Sequence, residues 1–187
     1  MQYTRGYLAT TYRGIRFRSR LEARWAMFFD ILGIDFHYEP GSFPVVPGGY
    51  TPDFLIPKQA TFDRRLWVEV KPSDYEPHDV DKPDALADEE TPVAFIHKIL
   101  LPECGFDAAR HSIYYGGSCD YDHGFCRCSR CGMIGFEFEG RSSRLRCGCW
   151  DGDRDDEWTS DCVELVGAYR KAIEYKFEEA NRVGGRF

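Results

Sequence analysis

The pattern of hydrophobic and polar positions marks two short segments in the first half of the chain. They run over residues 50–56 and 66–71, are rich in aromatic and β-branched residues, and are each followed directly by a proline. Such segments are typical of short strands with defined ends. Because side chains alternate between the faces of a strand, Glu69 and Lys71 share one face of the second segment. The pattern predicts two strands that can pair as a hairpin.

A helical period precedes these strands. Hydrophobic residues recur on one helical face at Leu21, Trp25, Phe28 and Leu32. Ser19 and Glu22 have the spacing of a capping box at the start of this helix, and Gly33 is placed to end it. Residues 7–17 predict an extended or hairpin entry to the sheet, with Gly14 in the turn.

The remaining hydrophobic segments predict three further strands, over residues 34–40, 91–97 and 112–115, the last at an edge of the sheet. Between the first two of them, the acidic residues 73–90 include two prolines. We therefore expect a loop there, with room for a short helix over residues 84–90.

A C-terminal helix is predicted from Thr159 or Ser160, either of which can cap it, to a point before Gly184 and Gly185. Its hydrophobic positions at helical spacing are Val163, Val166, Tyr169, Ile173 and Phe177. This stripe can pack on the sheet of its own chain or on a second copy in a homodimer. The sequence leaves both arrangements open.

Composition limits the size and the partners of the protein. Its 187 residues suffice for one α/β domain and a small satellite, and its formal net charge is −7. An acidic total argues against binding nucleic acid through bulk positive charge. However, residues 1–25 contain several arginines and a single acid, Glu22, whereas residues 74–90 are strongly acidic. A local basic stripe of this kind can still contact a nucleic-acid backbone.

No segment near the N-terminus has the apolar core of a targeting signal. The most apolar run, residues 25–34, is interrupted by Asp30 and Gly33 and is too short to span a bilayer. We therefore expect a cytoplasmic protein with no membrane partner. In that reducing compartment the eight cysteines are expected as thiols or metal ligands and not as disulfides.

Two acids of the paired strands predict a metal site. Asp53 lies near the start of the first strand and Glu69 near the end of the second, so a hairpin brings their carboxylates together beside Lys71. Carboxylates that close repel each other unless a cation lies between them. With the main-chain carbonyl of Val70 they form a hard-oxygen site of the kind that magnesium or manganese accepts.

The same residues carry a resemblance. Pro52-Asp53 followed by Glu69-Val70-Lys71 resembles the signature of the PD-(D/E)XK nuclease superfamily. Residues 17–26 resemble the first helix of one branch of it, the small phage and plasmid enzymes related to Holliday-junction resolvases and to the nuclease subunit of two-component transposases. The resemblance covers about half of the chain and implies an α/β, restriction-endonuclease-like core, a mixed sheet flanked by helices.

The resemblance also implies a function. The chain would be a DNA endonuclease that uses Mg²⁺ or Mn²⁺, with branched DNA among its candidate substrates and a 5′-phosphate and a 3′-hydroxyl as products. Asp53, Glu69 and the Val70 carbonyl would hold the cation, Glu22 would add a third carboxylate, and Lys71 would act on the attacking water. The alternative for Glu22 is that it only caps its helix.

Four arginines near this helix are candidates for contacts to DNA phosphates: Arg16, Arg18, Arg20 and Arg24. The alternative is that they form an ordinary solvated helix face. The sequence does not decide between the two.

Closely spaced cysteines in the second half predict a zinc ribbon. The ligands assigned to it are Cys128, Cys131, Cys147 and Cys149. We expect two knuckles joined by a β-hairpin with its turn near Gly140. The segment has few apolar residues, and zinc binding would contribute on the order of 10 kcal/mol to its folding.

The second knuckle, Cys147-Gly148-Cys149, is one residue tighter than the usual spacing. Cys126, Cys119 and His123 therefore remain as alternative ligands. Cys104 and Cys162 are expected in the core.

Three parts follow from these patterns: a nuclease-like core over residues 1–118, a zinc-ribbon insertion over 119–151, and an acidic linker with the C-terminal helix over 152–187. Two other functions remain open. The protein can be a non-catalytic nucleic-acid-binding zinc-ribbon protein, or an acidic interaction protein that inhibits by mimicking DNA. Neither of them requires Asp53, Glu69 and Lys71 together.

Overall fold

A computed structural model describes residues 9–45, 48–71, 80–101, 111–149 and 160–177. The strands within these residues are β1 (Thr10–Tyr12), β2 (Ile15–Phe17), β3 (His37–Tyr38), β4 (Phe43–Pro44), β5 (Gly49–Tyr50), β6 (Phe54–Ile56), β7 (Leu66–Val70), β8 (Val93–Ile96), β9 (His111–Tyr114), β10 (Cys119–Arg127) and β11 (Ile134–Phe138). The α-helices are α1 (Arg20–Ile31), α2 (Asp81–Leu86) and α3 (Val163–Glu174). A 3₁₀ turn spans Ser142–Arg144.

A seven-stranded sheet in the order β11-β10-β9-β8-β7-β6-β3 forms the centre of the structure. Strands β7 and β8 pair in parallel, and the other pairs in this sheet are antiparallel. Two small hairpins, β1–β2 and β4–β5, lie outside it. The expected α/β class, mixed sheet and C-terminal helix are confirmed.

The two faces of this sheet support two hydrophobic clusters. Leu66 and Val68 belong to the larger cluster with residues of α1 and α3, whereas Trp67 packs in a second cluster with Val80 and Leu86, beside and within α2. Burial of each large apolar side chain stabilises the fold by about 1.5–3 kcal/mol. Alternation along β7 turns Glu69 toward the same face as Trp67.

Helix α1 begins and ends as predicted. Ser19 is its N-cap, and the Ser19 hydroxyl accepts a hydrogen bond from the main-chain N–H of Glu22 at 3.1 Å. Gly33 follows the helix with φ +66°, and the N–H groups of Gly33 and Ile34 donate to the carbonyls of Asp30 and Phe29. This pair of bonds is a Schellman motif, in which glycine is favoured at the left-handed position.

Three predicted elements differ from the structure. Strand β9 lies between β8 and β10 and is not an edge strand, because β10 continues the sheet beyond it. The strand expected over residues 34–40 is confined to β3. Helix α2 starts at Asp81, earlier than predicted, because the first turn of a helix tolerates Pro83.

Helix α3 is present as predicted, but its cap, its end and part of its buried face differ from the prediction. Its N-cap is Cys162, which makes no side-chain capping bond, and the alternative Thr159 is outside the described residues. The buried positions are Leu165, Ala168, Tyr169 and Ala172. Of the predicted stripe, Tyr169 and Phe177 are buried in the core of the same chain, whereas Val163 is 85% exposed. The helix ends at Glu174, so Phe177, expected within it, lies beyond its end. The region near Gly184 is outside the described residues.

The hairpin of the cysteine region also differs from the prediction. Its strands are β10 and β11, so its turn lies over residues 128–133 and not near Gly140. The predicted second strand is replaced by the 3₁₀ turn. Because β10 pairs with β9, this hairpin belongs to the central sheet. None of the described helices has the length and apolar character needed to cross a membrane.

Candidate functional site

Asp53 and Glu69 lie at one end of the β6–β7 ladder. Phe54 pairs with Val68, so one position further along Asp53 is opposite Glu69. The main-chain N–H of Val70 donates to Asp53 Oδ2 at 2.7 Å, in place of a further ladder bond. Both acids are buried, with 3% and 8% of their surface exposed. The hairpin thus brings two desolvated carboxylates to neighbouring positions.

Lys71 follows directly after β7, and its main-chain N–H donates to the carbonyl of Ile96 at 2.9 Å. Its Nζ is 3.1 Å from Glu69 Oε1. The other oxygen, Glu69 Oε2, accepts a hydrogen bond from the Tyr50 hydroxyl at 2.6 Å. These two contacts hold the Glu69 carboxylate from both sides.

Glu22 lies in the first turn of α1. Its Oε1 accepts from the Ser19 hydroxyl at 2.6 Å, and its Oε2 accepts from the Tyr38 hydroxyl at 2.6 Å and from the Arg18 N–H at 3.2 Å. The capping interaction considered in the sequence is therefore present. The Glu22 charge also acts on Asp53, so capping does not remove it from the acidic cluster.

Arg18, the residue before the N-cap, extends its side chain over the acids. The guanidinium bonds to Asp53 Oδ1, and its Nε is 2.9 Å from Glu39 Oε1. The side chain of Arg18 is 56% exposed, whereas that of Asp53 is 4% exposed. One cationic side chain from outside the sheet thus covers the outer oxygen of a buried acid.

The charges of this cluster are only partly balanced. Burial, followed by the charges of Glu69 and Glu22, raises the pKa of Asp53 well above its usual value. The hydrogen bond from Val70 and the charge of Arg18 act in the opposite direction. Of the two neighbouring acids, Glu69 raises the Asp53 pKa more than Glu22 does.

A divalent cation fits the donor set of this cluster. Carboxylate oxygens are the ligands preferred by Mg²⁺ and Mn²⁺, and a cation relieves the repulsion that raises the Asp53 pKa. Among the described residues, only the cysteine group discussed below brings three or more potential ligand atoms within 4.8 Å of one another. Asp53, Glu69 and Glu22 therefore do not bring three carboxylate oxygens that close together.

The four candidate arginines have different surroundings. Arg24 donates to the carbonyl of Ala172 at 2.5 Å and to that of Ile173, and its guanidinium lies 5.8 Å from the ring centre of Phe177. It therefore holds the last turn of α3. Arg18 pairs with acids as described above, whereas Arg16 and Arg20 are exposed.

The assigned cysteines form a second cluster. The Sγ atoms of Cys128, Cys131, Cys147 and Cys149 all lie within 4.8 Å of one another and could bind a metal ion such as zinc. The β10–β11 turn supplies the first two, closed by a hydrogen bond from Gly132 N–H to the Cys128 carbonyl at 2.8 Å. Gly148 has φ +67°, a left-handed conformation that glycine adopts without steric cost. That conformation suits the short spacing of the second knuckle.

The alternative ligands are not in this cluster. Cys126 is fully buried, with its Sγ 3.9 Å from the Gly135 carbonyl. The His123 ring stacks on Phe136 at 5.7 Å between centres, and Cys119 is exposed on β10. Cys162 packs at intermediate exposure against the core, and Cys104 is outside the described residues.

Some residues near these sites have no clear signal in the sequence. Residues 57–65 connect the two predicted strands, and within them Asp63 and Arg64 are buried, with 1% and 7% of their surface exposed. Arg64 bonds to Asp63 at 3.3 Å and to Glu137 on β11. The adjacent opposite charges Asp63-Arg64 are compatible with such a pair. However, a partner from β11 cannot be inferred without the sheet order.

The chain was compared with protein-family models, with curated proteins and with solved structures. None of the three comparisons gives a match. The arrangement of the two clusters is therefore the basis for the function proposed below.

Proposed function

We propose that this protein is a metal-dependent DNA endonuclease of the PD-(D/E)XK type. One observation supports the proposal above all others. The buried carboxylates of Asp53 and Glu69 occupy adjacent ends of paired strands, and Lys71 is paired with the second of them. A third buried acid, Glu22, lies close enough to raise the Asp53 pKa. An ordinary salt bridge in the core has no need of this additional acid, whereas a cation-binding site does.

Asp53, Glu69 and the Val70 carbonyl would hold Mg²⁺ or Mn²⁺, with Glu22 further out. A bound cation of this kind polarises a phosphodiester and acidifies a water molecule. Val70 N–H and the Tyr50 hydroxyl orient the two carboxylates. The Lys71 ammonium, fixed by Glu69, would orient the attacking water and stabilise the charge that develops on the phosphate. The expected products carry a 5′-phosphate and a 3′-hydroxyl.

DNA would approach from the side of the β2–α1 connection. Arg16 and Arg20 are exposed there and can contact the phosphate backbone, whereas Arg24 is engaged by α3. Phosphate contacts of this kind position the duplex without reading its sequence. Selectivity for branched DNA is part of the proposal, and a possible homodimer remains a separate prediction.

The four-cysteine cluster would bind structural zinc. Four thiolates leave no open coordination position, so this ion would not take part in hydrolysis. Hydrogen bonds involving Cys131 and then Cys147 raise the pKa of the Cys149 thiol to about 12. Because zinc binds thiolates, loading should release protons.

A cleavage assay tests the nuclease proposal. Supercoiled, linear and branched DNA are incubated with the protein in Mg²⁺ or Mn²⁺, beside Asp53→Ala, Lys71→Ala and, as a control, the exposed Glu89→Ala. We expect cutting by the parent and by Glu89→Ala. Cutting by the other two variants should fall by at least about 100-fold, because Asp53 would hold the cation and Lys71 would stabilise the charge that develops on the phosphate.

Equal cutting by the Asp53→Ala protein would contradict the proposal. Binding of DNA without cutting in either metal would instead support the non-catalytic binding protein. Absence of both binding and cutting would support the acidic interaction protein.

A further inference from the structure

The contact between Arg18 and Asp53 joins a movable side chain to a fixed one. Asp53 is buried, and its Oδ2 is held by the main-chain N–H of Val70. Its other oxygen, Oδ1, is the one that Arg18 contacts. More than half of the Arg18 side chain is exposed, so it can leave Asp53 without disturbing the core. Oδ1 is therefore the oxygen through which Asp53 can change its partner.

A second acid, Glu39, keeps Arg18 near the site when it moves. The Nε of Arg18 is 2.9 Å from Glu39 Oε1, and the side chain of Glu39 is 37% exposed. The main chain of Glu39 is tied to the same place, because its N–H donates to the Asp53 carbonyl at 2.9 Å. Arg18 can thus exchange Asp53 for another anion while it stays within reach of the cluster.

We infer that Arg18 is an exchangeable counterion of Asp53, an inference that rests on the proposed function. A DNA phosphate draws the Arg18 guanidinium away and so opens Asp53 Oδ1 to the divalent cation. Guanidinium binds carboxylate and phosphate through the same planar donor geometry, which makes the exchange chemically direct.

This exchange links two binding events. When Arg18 pairs with a phosphate, the acids lose one of the two cations that the described contacts place against Asp53 and Glu69, and they attract a divalent cation more strongly. Linkage requires that DNA and the cation strengthen each other's binding by the same factor. Couplings of this kind are typically about 5–150-fold.

The test measures Mn²⁺ affinity on zinc-loaded protein, by the electron paramagnetic resonance signal of free Mn²⁺. Parent and Arg18→Gln are titrated with and without a saturating short duplex whose phosphorothioate linkages resist cleavage, and Mn²⁺ bound by the duplex alone is subtracted. Asp53→Asn defines Mn²⁺ bound elsewhere on the protein. Arg170→Gln makes the same charge change on an exposed residue of α3, away from the proposed DNA contacts.

Without DNA, we expect Arg18→Gln to bind Mn²⁺ about 10-fold more tightly than the parent, within the range for such couplings. The duplex should strengthen Mn²⁺ binding to the parent and to Arg170→Gln by a similar factor. The duplex should have little effect on the Mn²⁺ affinity of Arg18→Gln, because this variant has no guanidinium for a phosphate to draw away from Asp53.

If Asp53→Asn abolishes Mn²⁺ binding, the proposed function stands, and either of two results would then overturn the inference about Arg18. In the first, Arg18→Gln binds no more tightly than the parent, or gains as much from DNA. In the second, Arg170→Gln without DNA gains as much Mn²⁺ affinity as Arg18→Gln, which would show a general charge effect. Equal Mn²⁺ binding by Asp53→Asn and the parent would refute both this inference and the proposed function.

Arg18→Lys covers the case in which Arg18→Gln does not fold. Lysine keeps a cation near the acids, but its ammonium lacks the planar fork that contacts two carboxylates at once. We expect an intermediate gain in Mn²⁺ affinity from it. No gain would overturn the inference.

Discussion

At the scale of single residues, tyrosine hydroxyls support two acids of the cluster. Tyr38 donates to Glu22 and Tyr50 donates to Glu69, each at 2.6 Å. Burial, followed by hydrogen bonding or the charge of the acid, raises the pKa of both tyrosines, so they remain donors. A hydrogen bond of this kind favours the charged carboxylate. The two phenols therefore offset part of the desolvation of the acids.

His111 is a second buried polar residue with a measurable consequence. Its Nδ1 accepts a hydrogen bond from the His97 main-chain N–H at 3.2 Å, and its ring packs on Trp25 and Phe136. Burial, followed by the charges of His97 and His123, lowers the pKa of His111 to about 3. The folded protein thus keeps this ring neutral under conditions in which an unfolded chain protonates it.

We predict that His111 makes the protein sensitive to acid. The unfolded histidine titrates at about pH 6.5 and the folded one far lower. The contribution of neutral His111 to stability is therefore complete above about pH 6.5 and is lost as the pH falls toward 3. Over that range His111 changes the free energy of unfolding by up to about 1.4 kcal/mol per pH unit. His111→Asn keeps an acceptor for His97 but does not titrate, so urea unfolding between pH 4 and 7 should show a shallower slope. Equal slopes in the two proteins would contradict this account.

Strand alternation predicts which of these residues share a face, but it does not predict the partners that come from loops. Glu69 and Lys71 follow directly from the pattern of β7, and the hairpin places Asp53 beside them. The contacts of Arg18 and Tyr50 come from the connection before α1 and from the separate β4–β5 hairpin. Such contacts depend on how distant segments are placed in the folded chain, which the hydrophobic pattern of one segment does not specify.

At the scale of elements, the cysteine cluster is built on the tip of a core hairpin. Two of its thiols come from the turn that joins β10 to β11, and the other two come from the segment after the 3₁₀ turn. The sequence identified these four residues from spacing alone, because knuckle spacing is a local property. It misplaced the hairpin, because Gly140 is a turn signal whose turn leads into a 3₁₀ segment and not into a strand.

Substitution of single cysteines should distinguish the cysteines of the cluster from those outside it. Cys131→Ser removes a ligand atom, and we expect its zinc content after purification to fall well below one ion per chain, because structural sites use four protein ligands. Cys119→Ser changes an exposed cysteine of β10 outside the cluster and should retain the zinc content of the parent. Elemental analysis gives the result. Equal zinc in both variants would exclude Cys131 as a ligand.

At the scale of the whole molecule, one sheet connects the two clusters. The acids lie at the end of β6 and β7, and β8 and β9 separate those strands from the hairpin that carries the cysteine turn. The sequence predicted a small separate ribbon from its composition. It could not show that β10 pairs with β9, because pairing between distant strands is set by the assembled sheet.

Removal of zinc should therefore affect the whole fold. We expect a strong chelator to lower the midpoint of a single thermal transition by about 10 °C or more, since a loss of several kcal/mol shifts a chain of this size by about 2–4 °C per kcal/mol. Circular dichroism and differential scanning calorimetry with and without the chelator measure it. A small separate transition with an unchanged main midpoint would instead indicate a ribbon that folds independently.

The hydrogen bonds from Arg24 to the last turn of α3 have a consequence for protein synthesis. Arg24 contacts carbonyls up to 149 positions later in the chain, and Trp25 and Phe28 beside it pack on Tyr169. At roughly 5–20 residues per second, a ribosome needs roughly 7–30 s to deliver that partner after α1 has been made. The aromatic face of the nascent helix is incomplete for this interval, and a chaperone that shields it would increase the yield of folded protein.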